Sequence, residues 1–589
     1  MKHPTEGALD DVNVMVAGQG GDGSLTIITL LGNLLGARGF HLYTSRNVAS
    51  RIKGAHAAGM LRGSVVPRGC IGDHLDILIA FDSEAIEVAG ERLAPNAVVI
   101  FDSSLGEADR SRMPPGVRVI GIPFGRLAVR DLRRDLFKNS LSFGVLTRVL
   151  GIGDDEAVGC LEQRFRSAPA AMREANILAA RMGFDYAESQ GLRPGHGHWQ
   201  LAPVTHDRRL LISGNEALAF GFLAAGGRFF AGYPITPATD VMEWLSERLP
   251  AFGGAVIQAE DELAAINMAL GAALAGARAM TATSGPGLAL MMEGISQSGS
   301  AEIPLVIVDC QRAGPSTGMP TKPEQSDIGM IVYGGNGDLP RVVLAPGDPV
   351  DCFELSATAV NLAQRLQCPV FLMLDQSVAQ DSATVPPFDL DRIKTDPGKR
   401  LSADELAGMA EYRRYLITDD GISPWAVPGT PGGMNLVTGN ERDEWGHVTT
   451  KPDIRTRMTE KRMRKIALAT DLLPSGRRWG DPHARIGLLG VGMQLGVMRE
   501  AAERLSRAGH AVECLQPRTI WPVPAETVDF IRSHERTYVI EHNAGAQLAH
   551  LLRGAGAPPE KMRSILRYDG RPFRPVELVN AVLDGESAQ

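Results

Sequence analysis

Residues 254–285 read "GAVIQAEDELAAINMALGAALAGARAMTATSG". A short apolar run, a longer run rich in Ala, Leu, Ile and Met, and a second apolar run closing on a glycine turn predict strand, helix and strand. The pattern repeats around it. "GRFFAGYPIT" (227–236), "PLVIVDCQ" (304–311), "PRVVLAPG" (340–347) and "PVFLMLDQ" (369–376) are further apolar strands separated by helical segments. Regular alternation with strands apolar on both sides implies a parallel, doubly wound sheet, whose ligands collect outside the carboxyl ends of the strands. The helix in the quoted stretch opens with Glu260, Asp261 and Glu262 in a row. Carboxylates in a first turn complement the helix dipole, which accounts for Glu260 and Asp261. It accounts poorly for Glu262, because Ala265, Ile266, Ala269 and Ala273 put it on an apolar face. A buried carboxylate needs a partner, and none lies nearby in sequence.

Outward from this unit the chain divides further. Its 589 residues and 63.0 kDa are too many for one core. Hydrophobic content of 44%, charged content of 22% and a mean hydropathy of -0.05 are those of an ordinary globular protein. A net charge of -8 gives no overall footprint for nucleic acid or acidic membranes. "MKHPTEGALDD" has no signal-peptide core, and no run has the length and apolarity of a membrane span, so a cytoplasmic location is expected. The six cysteines are scattered without a C-x-x-C pair, so no disulfide framework, zinc site or iron–sulfur site is expected, and any redox metal belongs to another chain.

Upstream, "VNVMVA" then "GQGGDG" (18–23) then "SLTIITLLGNLLGARG" is strand, glycine turn and helix, matching G-x-G-x-x-G. The next strand, "FHLYTS", ends without the acidic residue that would hold a ribose, so a tight turn is favoured over a dinucleotide site. "SQGLRPGHGHWQLAPVTHD" reads as a linker. Ser213 and Glu216 form a capping-box pattern. Residues 386–475 are charged and poor in aliphatics, and their run "RTRMTEKRMRK" predicts a solvated basic helix. A second parallel α/β unit starts at "ARIGLLGVG" (484–492).

Four strand-end segments of the middle unit are candidate site elements. In "YPITPATD" (233–240), Thr236 as N-cap with Pro237 following would start a helix, while Pro234 and Ile235 hold the chain extended. Glu262 follows the strand "AVIQAE". "TSGPG" (283–287) allows close backbone approach. The loop "RAGPSTGMPTKPEQSD" (312–327) is long and structureless, and Arg312 offers a fork to a carboxylate.

"GYPITP", "AEDELAAI", "TATSGPG" with "LMMEGI", and "QRAGPSTGMPTKPEQSD" together resemble the α subunit of the 2-oxoacid:ferredoxin oxidoreductases, most closely the 2-oxoglutarate type. "GQGGDG" with "SRIKGAHAAGMLRGS" resembles their γ domain, fused in front, while "YRRYLITDDGISPWAVPG" and "EHNAGAQLAHLLR" fit as well. The resemblance implies a γ-type α/β domain at 1–195 and a thiamine diphosphate pyrimidine-binding domain at 205–385. An irregular linker at 386–480 and a transketolase C-terminal-like domain at 483–589 complete a multidomain α/β fold of parallel sheets. It implies that Glu262 bonds the cofactor's N1′ and shares a proton with it, its apolar face becoming the aminopyrimidine pocket. Tyr233, Pro234, Ile235 and Thr236 would line the cofactor site. Thr236 would bond the substrate, and Arg312 with Thr321 would hold its carboxylates, a polar arrangement better suited to 2-oxoglutarate than to pyruvate.

The implied reaction is CoA-dependent oxidative decarboxylation to an acyl-CoA, also available in reverse, with electrons leaving singly to ferredoxin. No G-D-G with a following Asn is present, "GNGDLP" (335–340) being a poor imitation, so diphosphate and Mg²⁺ fall to a β subunit that also carries a [4Fe–4S] cluster. An (αβ)₂ assembly is expected, with no metal site on this chain. Arg51, Lys53 and Arg62 are candidates for CoA phosphates, or ordinary surface charge. Two rivals stand beside this reading: another 2-oxoacid as substrate, and a non-catalytic nucleotide-binding scaffold resting on the glycine turn.

Overall fold

A computed structural model describes residues 9–48, 56–192, 201 and 208–587. They form two compact units: 1–212 with 381–387 and 574–576, and 213–380 with 388–573 and 577–589. Arg51 and Lys53, and most of the stretch read as a linker before residue 208, lie outside the described residues.

The first unit is built on an eight-stranded sheet. Its order is Arg118–Ile122, Leu93–Asp102, Leu75–Ala80, Asp11–Gln19, His56–Ser64, His41–Val48, Ser382–Val385 and Leu210–Ser213. Asp11–Gln19 runs parallel to Leu75–Ala80 but antiparallel to His56–Ser64, which is antiparallel in turn to His41–Val48. The sheet is therefore mixed, where the resemblance implied parallel strands throughout. The strand after the glycine turn does not neighbour the first strand, so the turn is not followed by a parallel βαβ crossover. Gln19 and Asp22 close the turn on themselves, Asp22 N–H donating to Gln19 O (3.0 Å) and Gln19 N–H to Asp22 Oδ2 (2.9 Å). Lys138 Nζ holds the other Asp22 oxygen at 2.7 Å. Arg62 is buried and committed to Asp11 (2.6 Å) and to the Cys70 carbonyl (3.1 Å), so it is not the surface charge its position suggested.

The second unit holds two sheets over one apolar core. The larger runs Thr519–Trp521, Val342–Leu344, Pro369–Asp375, Leu305–Gln311, Ala279–Thr283, Phe229–Gly232 and Ala255–Gln258. All are parallel except the first, an antiparallel edge contributed by the chain's last third. Leu305–Gln311 is buried along its whole length, as a central strand covered on both faces must be. The smaller sheet runs Arg477–Gly480, Val512–Gln516, Ile486–Gly490, Arg536–Glu541 and Met562–Leu566. Ile307 and Phe371 of the first sheet share a core with Leu489, Leu515 and Val539 of the second. Among the described residues no helix is long and apolar enough to cross a membrane.

The basic run is not a solvated helix. It forms Pro452–Ala467, and the Lys461 and Lys465 side chains are 0% exposed, gripping the two oxygens of Glu302 at 2.6 and 3.1 Å. Lys465 also donates to the Gln367 carbonyl (2.9 Å), and Arg414 to the Glu302 carbonyl (2.7 Å). These cations hold the Glu302 carboxyl below the usual carboxylate range despite its burial, while the burial of Lys461 itself pulls its ammonium down to about 8 against the opposing charge of Glu302. Lysines four residues apart share a helix face, and that face is buried because its countercharge lies some 160 residues away in the chain. Removing one member leaves buried charge uncompensated. Glu302→Gln is expected to cost about 3–5 kcal/mol in urea unfolding, and an unchanged midpoint would show the lysines finding other partners. In the wild type the depressed Glu302 makes this contribution present above the ordinary carboxylate range and lost on acidification.

Candidate active site

The carboxyl ends of three neighbouring strands converge at one edge of the larger sheet. Phe229–Gly232 continues into Tyr233–Thr236, Ala279–Thr283 into Ser284–Gly287, and Leu305–Gln311 into Arg312. The expected cap is absent: the helix begins at Thr239 with Ala238 as its N-cap and no side-chain bond. Ile235–Ala238 instead make a turn, Ala238 N–H donating to Ile235 O (2.8 Å), and the Pro237 carbonyl is held by Asn215 (2.7 Å). The Thr236 hydroxyl is thus released from capping, and its carbonyl accepts from Arg312 Nη1 at 2.7 Å. Tyr233 is 42% exposed beside this turn.

Asp261, not Glu262, caps the helix Glu262–Leu274, accepting from Ala264 N–H at 2.7 Å. Glu262 is 5% exposed, and its carboxylate takes no hydrogen bond among the described residues. It lies against Gly287, where a Cβ would come within 2.4 Å of Glu262 Oε1 and 2.1 Å of Thr283 Oγ1. The glycine therefore leaves the room in which that carboxylate sits.

Arg312 is 8% exposed, and its Nε is buried without a partner. Burial lowers its proton affinity, while Asp327 and Glu262 act against that through their charges. The loop it opens folds back on itself: Ala313 N–H donates to Lys322 O (2.9 Å) and Met319 N–H to Ala313 O (2.8 Å). That pairing bonds the residue after Arg312 to the residue after Thr321. The far end of the loop is anchored by Gln325, which donates to Asp375 Oδ2 (2.9 Å) and Val491 O (3.0 Å), and whose N–H donates to His542 O (2.7 Å). Asn543 donates to the Gln325 carbonyl (3.0 Å) and Gln547 to that of Ser326 (2.7 Å). The segment "EHNAGAQ" is thus the dock for the loop that begins at Arg312, a role its sequence did not disclose.

Residues 221–460 match the family described as pyruvate flavodoxin/ferredoxin oxidoreductase, thiamine diphosphate-binding. Residues 13–186 match pyruvate ferredoxin/flavodoxin oxidoreductase, and 481–582 the transketolase C-terminal domain. The chain is 31% identical to the 2-oxoacid:ferredoxin oxidoreductase subunit alpha of a Sulfolobus species, over 97% of each chain. The chain belongs to the 2-oxoacid:ferredoxin oxidoreductases. It is also 33% identical to the 2-oxoglutarate oxidoreductase subunit KorA of Mycobacterium tuberculosis, over 77% of this chain and 69% of that one. The solved 2-oxoglutarate:ferredoxin oxidoreductase from Magnetococcus marinus, with 2-oxoglutarate, coenzyme A and succinyl-CoA bound, is similar at a TM-score of 0.91. The two are 33% identical, and the match covers 98% of this chain and 99% of that one. As a 2-oxoacid:ferredoxin oxidoreductase it is a thiamine diphosphate-binding catalytic subunit. The buried, unpartnered Glu262 carboxylate in its glycine cradle fits the polar edge of an aminopyrimidine.

Gly287→Ala in this oxidoreductase should overpack the cradle, costing about 1–3 kcal/mol in thermal or urea unfolding and displacing Glu262, so that thiamine-dependent activity falls more than stability does. Full activity in a normally stable variant would show that Glu262 does not need the space.

Proposed function

We propose that the substrate is 2-oxoglutarate and the product succinyl-CoA, with electrons passing to ferredoxin. The observation that carries this reading is Arg312, buried at a strand end with a free Nε, at the start of a loop that folds back so that the residue after Thr321 bonds the residue after Arg312. A substrate with two carboxylates gives both residues a partner, whereas pyruvate would leave one unsatisfied. The relatives named for 2-oxoglutarate support the same choice.

Thiamine diphosphate, when bound, supplies a nucleophilic thiazolium carbon and a sink for the electrons left by decarboxylation. Glu262 holds a proton at the aminopyrimidine N1′ and returns it, and the apolar wall of Ala265, Ile266 and Ala269 keeps water from that proton. Tyr233, Pro234 and Ile235 line the approach, and the Thr236 hydroxyl, free of capping, bonds the substrate. Arg312 fixes the carboxylate next to the keto group, and Thr321 the distal one. Mg²⁺, the diphosphate contacts and a [4Fe–4S] cluster belong to a β subunit. Ile257, Leu263, Met268 and Leu290 are 38–49% exposed on the elements around Glu262, an apolar border suited to such a partner. We place the γ-type, pyrimidine-binding and transketolase C-terminal-like domains at 1–195, 205–385 and 483–589, joined by 386–480, in a cytoplasmic (αβ)₂ complex.

The test is viologen reduction by the complex that co-purifies with this chain, given thiamine diphosphate, Mg²⁺ and CoA. CoA-dependent turnover of 2-oxoglutarate in preference to pyruvate is expected, falling roughly 10²-fold or more in Glu262→Gln. Preference for pyruvate would overturn the substrate, and an unaffected Glu262→Gln would overturn the role of that carboxyl. Light scattering should give (αβ)₂, and an active αβ unit at the same dilution would refute the dimer.

A further inference from the structure

Thr283, Asp309 and Met373 are register neighbours at the carboxyl ends of three adjoining strands. Asp309 is fully buried, and neither of its carboxyl oxygens has a hydrogen-bond partner. An ionised carboxylate left this way costs several kcal/mol, so burial, with the charge of Asp327 beside it, pushes the Asp309 carboxyl well above its ordinary range. Asp327 closes the Arg312 loop. Its two oxygens lie 2.6 and 2.8 Å from where a Cβ on Gly285 would stand, and its Oδ2 is also buried without a partner. Burial and then Glu324 push this carboxyl up to about 6, with Arg312 opposing. Two buried carboxyls whose charges act on one another do not both ionise readily, and a neutral one has an O–H to donate.

The pair sits on a polar seam that reaches the site. Thr283, the strand neighbour of Asp309, shares the Gly287 cradle with Glu262, and Asp327 and Glu262 both act on Arg312. The charged groups acting on Asp327 are Asp309, Glu324 and Arg312. Asp375, on the next strand, is turned to other work by bonds from Val378, Met493 and Gln325. Were Glu262, Asp309 and Asp327 all ionised, Arg312 would be outnumbered where an anion has to bind.

We propose that Asp309 and Asp327 are positioning residues that hold a proton between them and so keep the Arg312 guanidinium available to the substrate carboxylate. This rests on the assignment of Arg312 to substrate. Ionisation of Asp327 draws the guanidinium to itself, so KM for the 2-oxoacid rises with pH while kcat moves less.

The test uses the intact complex and follows KM and kcat from about pH 5.5 to 8.5. Asp327→Asn, isosteric and always neutral, should flatten the KM profile and give a KM roughly 3- to 10-fold below wild type at the alkaline end. Asp309→Asn should do the reverse: its amide donates to the Asp327 anion, and the rise in KM begins at lower pH. A structural role would move neither profile, and active variants that both keep the wild-type profile would overturn the proposal. Infrared spectra give a readout independent of turnover: the wild type should show the carbonyl stretch of a protonated carboxyl at neutral pH, missing from Asp309→Asn. Absence of that band from the wild type overturns the proposal whether or not the complex is active. A complex that keeps the band but turns over no oxoacid overturns the substrate assignment, and with it the part played by Arg312.

Discussion

The site depends on a buried hydrogen-bond junction centred on Asp375. One of its oxygens accepts from Val378 N–H at 2.9 Å, the other from Met493 N–H at 2.8 Å and Gln325 Nε2 at 2.9 Å. Asp375 ends a strand of the larger sheet, Met493 follows a strand of the smaller one, and Gln325 belongs to the loop that begins at Arg312. A single carboxylate thus fixes two sheets and the loop between Arg312 and Asp327 in one geometry. Gly492 completes it, with φ at +60 and a missing Cβ that would stand 2.2 Å from Asp375 Oδ2. Buried networks of this kind rigidify when every member is satisfied. A loop of sixteen residues would otherwise bring its own conformational entropy into any binding event at the site.

His542 shows how thoroughly that junction is dried. Burial depresses its imidazole to about 3, and its Nε2 faces the Arg571 carbonyl at 3.0 Å. The ring is neutral, with the proton on Nε2 and Nδ1 accepting from Gln494. Glu541, the residue before it, accepts from the N–H groups of Leu548 and Ala549 (2.7 and 3.0 Å), pinning the first turn of the following helix. The segment holds still the residues that hold the loop.

Much of this was legible in the sequence, and the exceptions share a cause. Apolar strands alternating with helices are a local signal, and every strand read in the middle unit is present. The awkwardness of Glu262 was legible too, because its apolar neighbours lie within eleven residues. Where the deciding partner is remote, reading failed. Lys461 and Lys465 looked solvated because Glu302 is far away in the chain. Arg62 looked free because Asp11 lies on another part of the sheet. Thr236 looked like a cap because Ser/Thr-Pro is a good helix start, but the turn closed by Ala238 on the Ile235 carbonyl, with Asn215 holding Pro237, displaces the helix start by two residues. The mixed order of the first sheet depends on pairing, which periodicity does not encode.

Asp309 and Asp375 make the sharper lesson. Asp309 lies two residues before the end of its strand, paired with Met373, and Asp375 ends the neighbouring strand, paired with Gln311; both are essentially inaccessible. Sequence alone gives them the same description: one acid at the end of an apolar strand. Burial raises the proton affinity of both carboxyls. Asp375 is surrounded by donors that favour its charged form, as a carboxylate with a purely architectural duty should be. Asp309 has none, and architecture would be better served there by an apolar side chain of similar size. A carboxyl kept where nothing satisfies it, next to a second one and a step from Arg312, is retained for its proton. The hydrogen bonds that one aspartate has and the other lacks therefore separate the residue that builds the site from the one that tunes it.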